Sequence, residues 1–213
     1  MVEFPGSGHF IKVCAVTTVS DATLVADAGA DALGVILADS PRRVTLETAG
    51  AICAAVRGAL VRVGVFRRAT YDDVARALDA VELDALQVHG QLAEGVATLA
   101  RERGLTLIEV LSVDELDTAS GVGDAYLIDG PRPGSGVAHD WSAVTRRHWD
   151  RPIIVAGGLR ADTVAEVLAR VGAWGCDVAS GSESSPGVKD REKVESFVRN
   201  ALRYFEGGEE HHG

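Results

Sequence analysis

The chain has 213 residues, of which 46% are hydrophobic, and its formal net charge at pH 7 is −10. This length suits one large domain with a substantial core. The acidic charge argues against nucleic acid as a main partner, because phosphate backbones recruit lysine and arginine, and no apolar run approaches the roughly 20 residues that span a bilayer.

Short apolar segments alternate with helical patterns along the chain, which is typical of repeated strand–helix units around a parallel sheet. In chain order, the predicted strands are 11–14, 32–37, 61–66, 84–88, 105–111, 125–129, 152–156 and 175–179. The clearest predicted helices are 21–29, 46–56, 71–80, 92–103 and 161–171. Ser20, Thr45 and Thr70 occupy their N-cap positions, whereas the stretch 113–119 has the weakest helical pattern.

Eight such units predict an α/β fold, a single-domain (β/α)₈ TIM barrel over residues 1–205. A doubly wound open sheet is the alternative, but it usually carries a glycine-rich turn after its first strand. No such turn follows residues 11–14. The tail 206–213 is expected to be disordered and to lie outside the barrel.

Two predicted strands near the end of the chain run directly into glycine turns. Residues 152–156 lead into Gly157 and Gly158, and residues 175–179 lead into Ser180 and Gly181. A glycine lets backbone N–H groups approach an anion closely, because no Cβ intervenes. Turns after strands 7 and 8 form the phosphate site of many barrels. The sequence therefore predicts that the protein binds a phosphorylated small molecule.

Cys14 and Asp129 end the predicted first and sixth strands, at the barrel face where catalytic residues lie. Cys14 is either a small buried hydrophobe or a base whose thiolate is favoured by the ammonium of Lys12. Asp129 either caps a loop or is a general acid with a pKa raised by partial desolvation. On the residues alone, both alternatives stay open for each side chain.

Two further features lie at the same predicted face. His89 has no second potential ligand at metal-binding spacing, so a hydrogen-bonding or structural role is predicted for it and no metal is expected. Gly134, Ser135 and Gly136 follow the sixth strand and form either a flexible loop or a cover over the substrate.

The three cysteines, Cys14, Cys53 and Cys176, show no paired spacing. Neither a disulfide framework nor a zinc site is therefore predicted, and a reducing, cytoplasmic compartment is expected. The first residues lack a basic segment followed by an apolar core, so no signal peptide is predicted.

Several short motifs occur in order between about residues 11 and 203. They include Lys12-Val13-Cys14, Ser40-Pro41-Arg42, Gln87-Val88-His89-Gly90, Leu127-Ile128-Asp129, Gly134-Ser135-Gly136, Ala156-Gly157-Gly158 and Ser180-Gly181-Ser182-Glu183. This ordered set resembles phosphoribosylanthranilate isomerase, an enzyme of tryptophan biosynthesis.

The resemblance implies a cofactor-free Amadori rearrangement that converts N-(5-phosphoribosyl)anthranilate to 1-(2-carboxyphenylamino)-1-deoxyribulose 5-phosphate. It assigns Asp129 as the acid that opens the ribose ring, Cys14 as the base at C2′, and Arg42 as the partner of the anthranilate carboxylate. Apart from the resemblance, the protein is expected to be a monomer or a homodimer, and neither nucleic acid nor a membrane is expected as a partner. The implied substrate-binding residues are Lys12, Arg42, His89, Gly134, Ser135 and Gly136, and the implied phosphate-binding residues are Gly157, Gly158, Ser180 and Gly181.

Some positions depart from the pattern of that family. Ala15 stands where glycine normally follows the cysteine, and Glu109 stands where the fifth strand usually carries lysine. Three alternatives therefore remain: an isomerase for a modified anthranilate, an isomerase for another aminoribose phosphate such as the histidine-pathway substrate, and a non-catalytic phosphoribosyl-ligand binder. The other departures are Pro133, Thr163, Ala179 and Ser182.

Overall fold

The computed structural model describes residues 8–130 and 141–208. Its central feature is a closed barrel of eight parallel strands, in which each strand pairs with the next and β8 pairs with β1. The predicted TIM barrel is thus confirmed. The strands are β1 Phe10–Val13, β2 Ala32–Ile36, β3 Val61–Arg67, β4 Ala85–His89, β5 Thr106–Ser112, β6 Ala125–Asp129, β7 Ile153–Ala156 and β8 Gly175–Val178.

Helices surround the barrel and connect its strands. The weak stretch after β5 forms a 3₁₀ helix, Val113–Thr118, rather than an α-helix. A short antiparallel pair, β9 Glu183–Ser185 and β10 Val188–Lys189, follows β8. The α-helices are α1 Val19–Asp27, α2 Leu46–Ala55, α3 Tyr71–Ala80, α4 Val96–Glu102, α5 Ser142–Thr145, α6 Val164–Val171 and α7 Arg191–Gly208.

The starts of the early helices follow their capping residues. Thr45 and Thr70 accept hydrogen bonds from backbone N–H groups three residues later, as predicted. The prediction for α1 is wrong, because Ser20 lies inside the helix. Thr18 caps it instead: its backbone is extended, and its side chain accepts a 3.1 Å hydrogen bond from the N–H of Asp21.

Side chains alternate between the two faces of each strand, so the barrel has two apolar layers. In β1, Ile11 and Val13 face outward and join the core beneath the helices. Phe10 and Cys14 face inward and join the small cluster that fills the barrel. This alternation is what directs selected side chains into the barrel interior. In the described parts of the chain, no helix is both long and apolar enough to cross a membrane.

Candidate active site

A cavity of about 270 Å³ opens at the carboxyl ends of the strands, hereafter the mouth of the barrel. It brings together side chains and turns that are far apart in the sequence, as the barrel fold requires. Lys12 and Arg42 do not line it, and Gly134, Ser135 and Gly136 lie outside the described residues. The lining includes Cys14, His89, Asp129, Gly157, Gly158, Ser180 and Gly181, all of which were predicted from the sequence.

The glycine turn after β7 packs tightly against the end of β6. Gly157 has a φ of +85°, and Gly158 has a φ of +68°. A Cβ on Gly157 would lie 2.6 Å from the backbone nitrogen of Gly130 and 2.8 Å from Oδ1 of Asp129. A Cβ on Gly181 would collide with the carbonyl oxygen of Leu159. Only glycine therefore fits at position 157 beside Asp129 and at position 181 beside Leu159.

Cys14 lies above a fully buried ion pair. Lys12 is 0% exposed, and its Nζ lies 2.9 Å from Oδ2 of Asp177, its register partner on β8. Burial alone would lower the pKa of Lys12, but attraction to Asp177 and Cys14 raises it. Gly34 leaves room for this group, because a Cβ there would lie 2.8 Å from Sγ of Cys14. Lys12 therefore lies beneath the cavity, where its charge influences the Cys14 thiol.

The protonation of Cys14 differs from the expectation of a favoured thiolate. Burial raises the pKa of its thiol, and the opposing attraction of Lys12 is smaller. The free protein therefore holds Cys14 mainly as a thiol at neutral pH. A small thiolate fraction is nevertheless a strong base, because a raised pKa means a higher proton affinity.

Arg42, which follows β2, is held in place by a carboxylate from the segment that follows β8. Its Nε lies 2.8 Å from Oε1 of Glu183, and its Nη2 lies 2.7 Å from Oε2. Burial alone would raise the pKa of Glu183, but the hydrogen bonds from Arg42 lower it. The guanidinium has five N–H donors, so this pair leaves its Nη1–Nη2 edge for another acceptor.

Glu183 also organises the β9–β10 segment. It accepts a 3.2 Å hydrogen bond from the N–H of Gly187, whose carbonyl accepts a 2.5 Å hydrogen bond from the hydroxyl of Thr17. Lys189 donates to Oγ of Ser182 at 3.0 Å and lies 3.6 Å from Oε1 of Glu183. Burial lowers the pKa of Lys189. These contacts fix the turn after β8.

His89 is a neutral hydrogen-bonding residue. Burial and the positive charges of Lys12 and Arg67 lower its pKa from 6.5 to about 4. Its Nε2 lies 3.1 Å from Nε2 of Gln87, two residues earlier on β4. The amide therefore donates to the ring when the ring proton is on Nδ1.

Glu109, the departure from the family pattern on β5, does not line the cavity at the mouth. Its neighbours Ile108 and Val110 face the barrel interior, so Glu109 points outward. There its carboxylate accepts hydrogen bonds of 2.7 Å and 2.9 Å from the N–H and hydroxyl of Ser120. Strand alternation is the signal that could have placed it.

The sequence-based list of site residues omits four buried or half-buried side chains at the mouth. Gln87 and Asp177 follow the same inward alternation as His89 and Ala179, so this pattern could have found them. Glu183 and Lys189 lie beyond the barrel strands, and only the folded β9–β10 segment brings them to Arg42 and Ser182.

No cluster of three or more potential metal ligands occurs in residues 8–130 and 141–208. The family model for N-(5′-phosphoribosyl)anthranilate isomerase matches residues 11–200. The curated enzyme of that name from Geotalea uraniireducens is 36% identical over 197 residues, which cover 90% of this chain and 97% of that protein.

Solved structures point to the same family. TrpF from Jonesia denitrificans superimposes with a TM-score of 0.81 at 30% identity, covering 92% of this chain and 98% of that one. A second solved structure is a phosphoribosylanthranilate isomerase in complex with reduced 1-(o-carboxyphenylamino)-1-deoxyribulose 5-phosphate. It gives a TM-score of 0.76 at 27% identity and covers 91% of this chain and 98% of that one. The chain belongs to the N-(5′-phosphoribosyl)anthranilate isomerase family.

Proposed function

We propose that this protein catalyses the Amadori rearrangement of N-(5-phosphoribosyl)anthranilate to 1-(2-carboxyphenylamino)-1-deoxyribulose 5-phosphate. One observation carries the proposal: Cys14 directly after β1, Asp129 at the end of β6 and the turns after β7 and β8 all line one cavity. A base, an acid and an anion site are therefore arranged around a volume that suits a phosphorylated sugar. Membership of the isomerase family supports the same reaction.

The phosphate is assigned to the turns that contain Gly157, Gly158, Ser180 and Gly181. All four residues line the cavity, and at the three glycines no Cβ stands between the backbone and the cavity. Backbone N–H groups in such turns carry partial positive charge, which suits an anion without requiring a lysine or arginine. Anchoring the phosphate there positions the ribose between β1 and β6.

Asp129 and Cys14 then divide the proton transfers. Asp129 protonates the ring oxygen as the bond from that oxygen to C1′ breaks, which leaves a protonated Schiff base. Cys14, as the thiolate, removes the proton from C2′, and the electron pair of that C–H bond forms the C1′–C2′ double bond of an enolamine. Tautomerisation of the enolamine gives the ketone. β1 and β6 are not adjacent in the barrel, so acid and base act from different sides of the sugar.

The anthranilate carboxylate is assigned to Arg42. Because Glu183 occupies the Nε–Nη2 edge, the substrate would use the Nη1–Nη2 edge. A guanidinium edge matches a planar carboxylate with two parallel hydrogen bonds. We place the reaction in the cytoplasm, and a monomer or homodimer stays a prediction that sedimentation analysis of the purified protein would test.

A fluorescence assay tests the proposed function directly. Phosphoribosylanthranilate is generated in situ, and the loss of anthranilate-type emission is followed after the protein is added in buffer with EDTA. We expect rapid loss, and alkylation of Cys14 should abolish it while bound substrate protects the thiol. No loss above the spontaneous background from folded protein would contradict the proposal. The same assay with ring-substituted anthranilates would then test the modified-substrate alternative.

A further inference from the structure

A second cavity, of about 250 Å³, lies between the segments that follow β2 and β3. Its lining includes four exposed arginines, hereafter the arginine patch: Arg43, Arg67, Arg68 and Arg76. Two carboxylates, Asp39 and Asp73, also line it. With four arginines against two carboxylates, this cavity has an excess of positive charge, whereas the whole chain has a formal net charge of −10.

The charges of the arginine patch are weakly compensated. Arg76 lies 3.8 Å from Oδ1 of Asp73, whose other oxygen accepts hydrogen bonds from the N–H and hydroxyl of Thr70. The other three arginines form no ion pair with any residue in 8–130 and 141–208. By contrast, Arg57 and Arg103 pair with surface carboxylates at 2.6 Å and 2.7 Å. The patch therefore presents uncompensated positive charge to solvent.

The arginine patch borders the mouth directly. Arg67 is the register partner of His89, which lines the mouth cavity. Burial, Lys12 and the positive charge of Arg67 lower the pKa of that ring, so the charge of Arg67 reaches the mouth. The N–H of Arg68 donates a 3.2 Å hydrogen bond to the carbonyl of His89, although Arg68 has a φ of +49°. This left-handed backbone costs stability, and it keeps Arg68 at the edge of the mouth.

The mouth itself offers little positive charge to an approaching anion. Among the described residues that line its cavity there is no lysine or arginine, whereas Asp129 and Asp177 are acidic. The charge of Arg42 is balanced by Glu183 at 2.7 Å. The proposed substrate has a phosphate and a carboxylate, and it carries about three negative charges at neutral pH. Because the chain as a whole repels such a substrate, the attraction must come from charges beside the cavity.

We propose that the arginine patch attracts the phosphorylated, carboxylate-bearing substrate toward the mouth and thereby raises its rate of association. The inference rests on the proposed function, since it takes phosphoribosylanthranilate as the ligand. Charges that flank a cleft raise association rates by about 10- to 10³-fold, and salt weakens the effect by screening them. The patch acts on the substrate during its approach, so its removal should slow association and leave dissociation unchanged.

Stopped-flow mixing with a non-reacting ligand tests this without relying on turnover. The probe is reduced 1-(o-carboxyphenylamino)-1-deoxyribulose 5-phosphate, followed by its anthranilate-type emission. Raising the salt concentration from about 0.01 M to about 0.15 M shortens the screening length from about 30 Å to about 8 Å. We expect the association rate constant of the unmodified protein to fall by about 3- to 10-fold over this range.

A double variant assigns the effect to the arginine patch. Arg67→Gln with Arg68→Gln removes two charges at exposed positions and keeps polar side chains of similar reach. At low salt, its association rate constant should be about 3- to 10-fold below that of the unmodified protein, and its salt dependence should be weaker. The dissociation rate constant should stay within about twofold.

The matched control removes two charges at a distance from the mouth. Arg199→Gln with Arg203→Gln changes two exposed arginines on α7. The end of this helix lies at the amino-terminal end of the barrel, because Phe205 stacks on His9, just before β1, with centroids 4.7 Å apart. Both double variants have the same net charge, so they differ in where charge is lost. We expect the control to associate within about twofold of the unmodified protein.

Two results would overturn the inference. Equal slowing of association in the two double variants would show that net charge, and not the arginine patch, governs the approach. A change confined to the dissociation rate constant would show that the arginines contact the bound ligand instead. Failure of the proposed function would look different: the probe would not bind at any salt concentration, and the fluorescence assay would show no turnover.

Discussion

The two ends of the barrel are built on different principles. At the amino-terminal end, three aspartates that directly precede even-numbered strands each accept a hydrogen bond from the N–H near the start of the preceding odd-numbered strand. Asp31 accepts from Ile11 at 2.7 Å, Asp84 from Arg62 at 2.8 Å, and Asp124 from Leu107 at 2.8 Å. The aspartates thus repeat one contact around the barrel.

The fourth even-numbered strand, β8, is preceded by a tryptophan, whose backbone contact is to β1 rather than to the preceding strand β7. Trp174 precedes β8, and its carbonyl accepts a 3.2 Å hydrogen bond from the N–H of Phe10. The two rings stack with centroids 5.3 Å apart and close the barrel interior at this end. The amino-terminal end thus repeats one contact, and in residues 8–130 and 141–208 none of the buried side-chain atoms without a hydrogen bond lies there.

The mouth has the opposite character. Each strand end contributes a different group, and buried atoms of Lys12, Gln87 and Asp177 remain without hydrogen bonds in the described residues. Both non-glycine residues with positive φ in those residues, Ala15 at +63° and Arg68 at +49°, also lie there. Strain and unpaired polar atoms cost stability, and they persist where a ligand or a reaction requires them. The amino-terminal end of the barrel thus carries contacts that stabilise the fold, and the mouth carries groups that serve the reaction.

The largest expected effect is a loss of turnover, and it is tested by comparing the two aspartates at opposite ends of β6. Asp129→Asn should lower turnover by about 10²- to 10⁴-fold, because the amide cannot protonate the ring oxygen. Asp124→Asn makes the same change at the amino-terminal end and should keep the turnover of the folded enzyme. The fluorescence assay measures both. Turnover like that of the unmodified protein in Asp129→Asn would remove this residue from the mechanism.

Because of His89, the free energy of unfolding should depend on pH between 6.5 and about 4. The pKa of His89 is lowered from 6.5 to about 4, so the folded state resists the proton that the unfolded chain takes up. The stabilisation from neutral His89 is complete above pH 6.5 and is lost as the pH falls toward 4, by at most about 3 kcal/mol. Urea unfolding at a series of pH values would show this slope.

His89→Asn supplies the control for that slope, because the variant lacks the titrating ring and should have a flatter profile between pH 6.5 and 4. Asp84 contributes mainly below this window. Its pKa is lowered from 3.8 because the hydrogen bonds from Arg62 outweigh the opposing effect of burial, so its contribution is lost only at more acidic pH. Identical profiles for the two proteins would contradict the assignment to His89.

At the amino-terminal end, Asp84→Ala should lower the free energy of unfolding by about 2 kcal/mol, because Arg62 loses partners for its N–H and its guanidinium. The matched control is Asp79→Ala, which removes an exposed ion pair with Arg103. The control should change stability by less than about 1 kcal/mol. Equal losses in the two variants would show that the repeated contact is not a stabilising element.

The smallest effect concerns the strained residues at the mouth. Arg68 is exposed, so Arg68→Gly should stabilise the protein by about 1 kcal/mol by relieving its left-handed backbone. Ala15 is fully buried, and Ala15→Gly should gain less, because loss of the buried methyl costs about 0.8 kcal/mol. Thermal unfolding measures both. A destabilised Arg68→Gly would mean that the side chain contributes more than its backbone costs.

Particular residues show which features of the fold and the site could be predicted from the sequence and which could not. Alternation of strands and helices predicted the barrel, and the motifs placed Cys14, Asp129 and the glycine turns in one cavity. The motifs did not decide whether Glu109 enters the site, and its position between the inward-facing Ile108 and Val110 answers that question. The motifs also missed the Arg42–Glu183 pair, whose members are 141 positions apart in the chain.

The sequence by itself determined the eight-unit barrel, the glycine turns and the types of the candidate acid and base. Local patterns suffice there, because periodicity and glycine conformations are properties of neighbouring residues. Only the tertiary structure decided that Lys12 faces Asp177, that Cys14 is mainly a thiol, and that Gln87 and Asp177 each bury an oxygen without a hydrogen bond. Register between strands and burial determine these features, and both arise only when distant segments pack together.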